Sequence, residues 1–176
     1  MHIDENFQLT YCTNIHPGFD WATTFDSLKE HVPIIKEQVS PDKPFGLGLR
    51  LSNRASEELG IGANLAKFQK WLVENEVYVF TMNGFPYGNF HNERVKEDVH
   101  TPDWTTPERV VYTKRLFDQL AKLLPKGISG GISTSPISYK YWHESKDASH
   151  QAFTSGADHL AEIILHLHNW EMDSGK

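Results

Sequence analysis

The stretch FGLGLRLS, residues 45–52, alternates two kinds of side chain. Leu47, Leu49 and Leu51 occupy one parity and Gly46, Gly48 and Arg50 the other, which is the two-residue period of a β-strand. A parallel strand covered on both faces reads as a continuous Val/Ile/Leu run. Here one face is leucine, and the other stays small until a guanidinium arrives at its end. Residues 8–14, QLTYCTN, repeat the arrangement, with Leu9, Tyr11 and Thr13 set against Thr10, Cys12 and Asn14.

Helical and extended patterns alternate outward from these strands. Phe25, Leu28, Val32 and Ile35 recur at helical spacing, and Pro33 among them is expected to kink or split the helix. Ala55, Leu59, Leu65, Phe68 and Leu72 mark a second helical region, which Gly60 and Gly62 divide into two pieces. VYVFTMN (77–83) is a third strand, followed by a long segment, 84–105, and a helix carrying Val110, Phe117, Leu120 and Leu124. ISGGISTS (128–135) is the fourth strand. A last helix, about 149–170, places Phe153, Ala157, Leu160, Ile164 and Leu167 on one stripe. The order βαβαβαβα implies α/β class, with parallel strands joined by right-handed crossovers.

Two architectures fit four such units: an open doubly wound sheet, or part of a (β/α)8 barrel, whose full size is about 250 residues. Small or polar residues on one strand parity suit a barrel interior with a polar mouth. The expectation is a single domain over residues 1–176, a half or incomplete TIM barrel with strands at about 8–14, 45–52, 77–83 and 128–135. Its two unpaired parallel edges would need cover from another chain.

Composition narrows the function classes. With 176 residues, 39% apolar and 23% charged, the chain is a folded protein of one domain. A net charge of −6 argues against nucleic acid, which requires a concentrated basic face. No run approaches the roughly 20 apolar residues of a membrane span, and the N-terminus has no signal-peptide pattern, so cytoplasm is the expected location. One cysteine, Cys12, excludes an internal disulfide and reads as a buried small hydrophobe.

In a parallel α/β fold the chemistry sits at the C-terminal strand ends. Those ends supply the candidate binding residues Asn14, His16, Arg50, Asn83, His91, Ser133, Thr134 and Tyr139. His16, in NIHPG, can orient a carbonyl or bind a metal. Arg50 follows the strand alternation inward, where a guanidinium needs an anion or a polar network. Asn83 offers a donor and an acceptor. SGGISTSP (129–136) lacks the spacing of a phosphate loop and reads as a strand-to-loop transition. The segment 84–105 is long against the ~2–6 residues usual for such a connection. Within it His91 and Asp103 are candidates, with His16, for proton transfer, and the pair is a weak candidate for metal ligation. The late histidines His159, His166 and His168 read as surface residues on a helix.

LTYCTNIHPG (9–18), FGLGLRLS (45–52), YVFTMNGFPYGNFH (78–91), VKEDVHTPDW (95–104) and GGISTSPISYKYW (130–142) together resemble the N-terminal half of EboE-type metabolite-traffic proteins. That family belongs with the xylose-isomerase-like TIM barrels. The resemblance implies a protein that handles a small biosynthetic precursor in the cytoplasm, bound at the barrel mouth. Its alternatives are a divalent-metal-dependent sugar isomerase or epimerase, and an inactive fragment needing a C-terminal half. Full members continue into a strand with an acidic EPEP-like segment, and the metal carboxylates of such barrels come mostly from the second half. A divalent metal would then be completed only by that missing half. The implied partners are a small-molecule metabolite and either a second copy of the chain or a C-terminal half-barrel.

Overall fold

A computed structural model of the chain describes residues 2–4, 7–88 and 96–174. Its six strands are β1 (His2–Asp4), β2 (Phe7–Gln8), β3 (Tyr11–Cys12), β4 (Phe45–Arg50), β5 (Val77–Asn83) and β6 (Gly131–Ser133). Its five α-helices are α1 (Trp21–Val39), α2 (Asn53–Leu59), α3 (Asn64–Glu74), α4 (Pro107–Leu123) and α5 (Lys146–Ser174). β1 and β2 form an antiparallel pair, while β3, β4, β5 and β6 form a parallel sheet in that order. A doubly wound sheet reverses its strand order at a switch point. This sheet keeps chain order throughout.

One strand parity carries the core. Phe45, Leu47 and Leu49 of β4 and Val77, Val79 and Met82 of β5 pack with Leu28 and Val32 of α1, Leu59 of α2, Phe68 of α3 and Leu116 of α4. Helices that share one strand parity lie on one face of the sheet. A bulge at Phe80, between the pairs Leu47–Val79 and Gly48–Thr81, flips the parity of β5. Thr81 and Asn83 therefore join Tyr78 and Phe80 on the second face, away from the helices.

Differences from the sequence reading have local causes. The first strand ends after Cys12, not at residue 14, because the Thr13 side chain takes over the ladder. Its hydroxyl donates to the Gly48 carbonyl at 3.2 Å and accepts from the Arg50 amide at 3.0 Å, so the backbone is released into a 3-10 turn, Thr13–Ile15. The fourth strand is likewise shorter than 128–135. Short edge strands limit how much unpaired backbone an edge displays. Cys12 is exposed rather than buried, since it stands on the second face of an edge strand. Pro33 does not split α1. Val32 and Lys36 on either side of it are buried, and packing holds the helix continuous through the missing N–H. Gly60 and Gly62 do separate α2 from α3.

Of the stripe expected on α5, Leu160 packs against Trp104, Val110 and Ile163, and the rest of the contact surface is rotated around the helix. Gly156 sits so close to Ile137 that a Cβ would lie 2.6 Å from its Cγ2. Ile163 packs with Val110 and Trp104, and Asp118 of α4 accepts from Trp170 Nε1 at 2.8 Å and is 2.7 Å from His166 Nε2. Ile163, His166 and Trp170 thus make the contact with α4, leaving Phe153 61% and Ile164 68% exposed. His159, expected at the surface, is half-buried with Nδ1 2.7 Å from the Trp104 carbonyl oxygen.

Candidate functional site

The register of the sheet builds two tiers on its second face. Cys12, Gly48, Thr81 and Gly131 pair across the four strands in one row. One step toward the C-terminal ends, Arg50, Asn83 and Ser133 pair in a second row. The lower tier is small, and the upper tier supplies a guanidinium, an amide and a hydroxyl. Gly48 keeps this row open: an added Cβ would stand 3.0 Å from Thr10 Oγ1 and 3.5 Å from Thr81 Cγ2.

Each polar side chain of the upper row is held. Ser133 is exposed, and its hydroxyl donates to Asn83 Oδ1 at 3.1 Å; the same oxygen accepts from the Phe85 amide at 2.9 Å. The Asn83 amide nitrogen projects from a fixed side chain. Arg50 is buried, with Nη1 donating to the Gly18 carbonyl at 3.0 Å and Nη2 to the Gly88 carbonyl at 2.5 Å. Its guanidinium ties the loop after β3 to the loop after β5. Burial pulls its pKa below the ordinary arginine value, opposed by the Tyr112 phenol.

A second buried arginine, Arg109 of α4, repeats the device. Its Nε donates to the Pro102 carbonyl at 2.8 Å and Nη1 to the Gly84 carbonyl at 2.7 Å, and the guanidinium lies over the rings of Tyr87 and Tyr112. The Tyr112 hydroxyl donates to the Leu51 carbonyl, and Ser52 donates to the Phe19 carbonyl. These bonds satisfy loop carbonyls that strand ends leave without ladder partners. They make the mouth a fixed collar. The sequence does carry a trace of it. Arg109, Tyr112 and Leu116 share the buried side of α4 at helical spacing, so a polar pair on an apolar stripe was the available signal.

The remaining candidates flank the row. On the β3 side, Tyr11 Oη is 2.6 Å from His16 Nε2, and the His16 ring stacks on His31 of α1 at 4.4 Å and 10°. Burial raises the Tyr11 pKa. An imidazole held this way is an oriented acid–base group. Asn14 lies in the 3-10 turn just before it. On the β6 side, Thr134 accepts from Trp104 Nε1 at 3.1 Å, and Tyr139 belongs to an aromatic array. Phe85, His100 and Tyr139 stack in sequence at 5.5 and 5.1 Å, with Trp142 edge-on to His100 and Tyr139. Asp103 is buried, and its Oδ1 accepts from the amide of Thr105 at 2.9 Å and from its hydroxyl. That carboxylate serves the turn entering α4. His91 lies outside the described residues.

Among the described residues, no three His, Cys, Asp or Glu side chains converge as metal ligands. No helix among them is long and apolar enough to cross a membrane. A separate apolar recess of about 410 Å³ opens at the other end of the sheet, lined by Lys43, Pro44, Tyr78, Pro125 and Ile128. Comparison with protein-family models, curated proteins and solved structures gives no match to this chain.

Proposed function

We propose that the chain is a cytoplasmic small-metabolite-handling protein of the EboE type, binding its ligand at the C-terminal mouth of a TIM-barrel sheet that a second four-strand unit completes. The observation that carries this reading is the pairing of Arg50, Asn83 and Ser133 in one row above a tier of Cys12, Gly48, Thr81 and Gly131. Small side chains leave room for a ligand, and the Asn83 amide nitrogen above them, on a side chain fixed by Ser133 and the Phe85 amide, is the donor that orients it. The collar held by Arg50 and Arg109 supports the same reading, because a mouth fixed before binding loses less entropy on binding. The test is a ligand-observed NMR screen of polar metabolites, followed by Ser133→Ala. Ser133 is exposed, so its loss leaves the core intact, and the reading expects weakened binding. Hits whose affinity is indifferent to Ser133→Ala and Asn83→Ala sink it.

A second reading, a divalent-metal-dependent sugar isomerase or epimerase, draws support from the Tyr11–His16 pair beside β3, an oriented acid–base group. In that case the completing unit supplies the metal ligands. Metal analysis of the purified assembly after incubation with Mn²⁺ separates the two readings. Stoichiometric retained metal favours the isomerase.

A further inference from the structure

The second face of the sheet is where the molecule is least complete. Parallel sheets occur almost only with both faces covered. Here the core helices meet one parity, while Tyr78 and Phe80 of the other parity, rings 5.8 Å apart, stand partly exposed outside the core. The helical layer is open as well. α5 packs against α4 on one side and leaves Phe153, Ile164 and Leu165, 61%, 68% and 59% exposed, on the side away from it. α1 packs its Phe25 side against Phe68 and Trp71 of α3, and carries Ile34, 58% exposed, next to His31 away from α3.

We infer that a second copy of this chain covers these surfaces, with β6 of each protomer pairing with β3 of its partner to close an eight-stranded barrel. The inference rests on the barrel reading above and names the completing unit. Four strands in chain order put β3 and β6 at opposite edges. A two-fold axis along the barrel then makes two β6–β3 pairings, and a head-to-tail contact closes after two copies. Eight is the strand number at which inward side chains fill a parallel barrel.

Charge supports a like partner. In a chain with 23% charged residues, the second face presents Thr10, Cys12, Tyr78, Phe80, Thr81 and Ser133, and among the described strand residues on it the one ionised group, Arg50, is engaged by loop carbonyls. Neither edge strand carries the lysine or proline that guards a free edge. Two such surfaces meet without like-charge repulsion. The same closure brings the unused stripe of α5 beside α1 of the partner, so one arrangement covers the sheet face, both edges and both open helix sides. The ligand mouth is then lined by rows from both protomers.

Sedimentation equilibrium and cross-linking on the full chain test this. The wild type is expected at twice 20.2 kDa. Ile164→Asp, at an exposed position, is expected to weaken the dimer at least tenfold with unchanged far-UV circular dichroism. Because closing a barrel staggers the strands at the seams, a cysteine scan of residues 129–136 is expected to find one position that on oxidation forms a disulfide to Cys12 of the other protomer. A monomeric wild type at micromolar concentration overturns the inference. So does a dimer in which no scanned position cross-links to Cys12 or Ile164→Asp leaves the affinity unchanged. A cross-linked dimer that binds no metabolite would remove the proposed function and leave the closure standing; a monomer that binds through Asn83 and Ser133 would remove the closure and leave only the ligand row standing.

Discussion

Tyr112→Phe removes one oxygen from the centre of the molecule, and its effect should change sign with pH. Tyr112 is fully buried, and its hydroxyl donates to the Leu51 carbonyl just beyond β4. Deleting it leaves a buried carbonyl unsatisfied, which costs about 1–2 kcal/mol at neutral pH. Burial also pushes the Tyr112 pKa up to about 12, against an ordinary value of 10.0, with Arg109, Arg50 and Arg115 opposing the shift. A raised pKa in the folded state means that its stabilising contribution is intact below pH 10. Above that the unfolded chain ionises first, and stability is lost as pH rises through the folded value. Over a two-unit window the loss amounts to about 2.7 kcal/mol. The phenylalanine variant has no such loss. Urea midpoints for both proteins, at equal protein concentration and followed by far-UV circular dichroism, should show the wild type ahead at pH 7. The gap should close near pH 11 and reverse by pH 12. A gap constant across this range would show that the phenol ionises freely in the fold, and the buried collar would be wrong.

Three further outcomes follow from the same geometry. Gly130→Ala places a Cβ 2.6 Å from the Phe80 carbonyl oxygen and 2.8 Å from Leu124 Cδ1, so β5 and β6 must separate, at about 1–3 kcal/mol in thermal melts; Gly131→Ala, with nothing within 4 Å, should be nearly silent. Asp20 caps α1 by accepting from the Thr23 amide at 2.8 Å, and that bond holds its carboxyl below the usual carboxylate range. Asp20→Ala should cost about 1 kcal/mol at neutral pH, and the difference from wild type should fade only as pH drops through the lowered pKa. Arg50→Met releases the Gly18 and Gly88 carbonyls, so hydrogen exchange should quicken in residues 14–20 and 84–88 while β4 amides stay slow. Equal protection in the two proteins would mean that Arg50 does not tie the loops.

The strand order, the helix-facing parity of β4 and the break between α2 and α3 were legible in the sequence because each rests on local periodicity or a glycine. What eluded it was tertiary. The hydroxyl of Thr13 can replace a strand backbone only because Gly48 and Arg50 lie opposite, and no pattern within residues 8–14 signals that. The apolar stripe of α5 pointed to Phe153 and Ile164, whereas the contact surface is Gly156, Ile163, His166 and Trp170, chosen by Ile137 and Asp118 far away in the chain. The site divides similarly. Arg50, Asn83 and Ser133 could be placed at strand ends by counting. Their alignment in one row depends on the bulge at Phe80, which alternation alone does not reveal. Asp103 looked like free chemistry in a long loop, and it is instead committed to Thr105.

The most direct measurement is amide chemical-shift mapping of the isotope-labelled protein, titrated with the tightest binder from the metabolite screen. Binding at the mouth should move the amides of Asn14, His16, Arg50, Asn83, Ser133 and Thr134, and leave the opposite end of the sheet still. Shifts confined to Lys43, Tyr78 and Ile128 would place the ligand in the apolar recess at the N-terminal strand ends, and would contradict a binding site built on the Arg50–Asn83–Ser133 row.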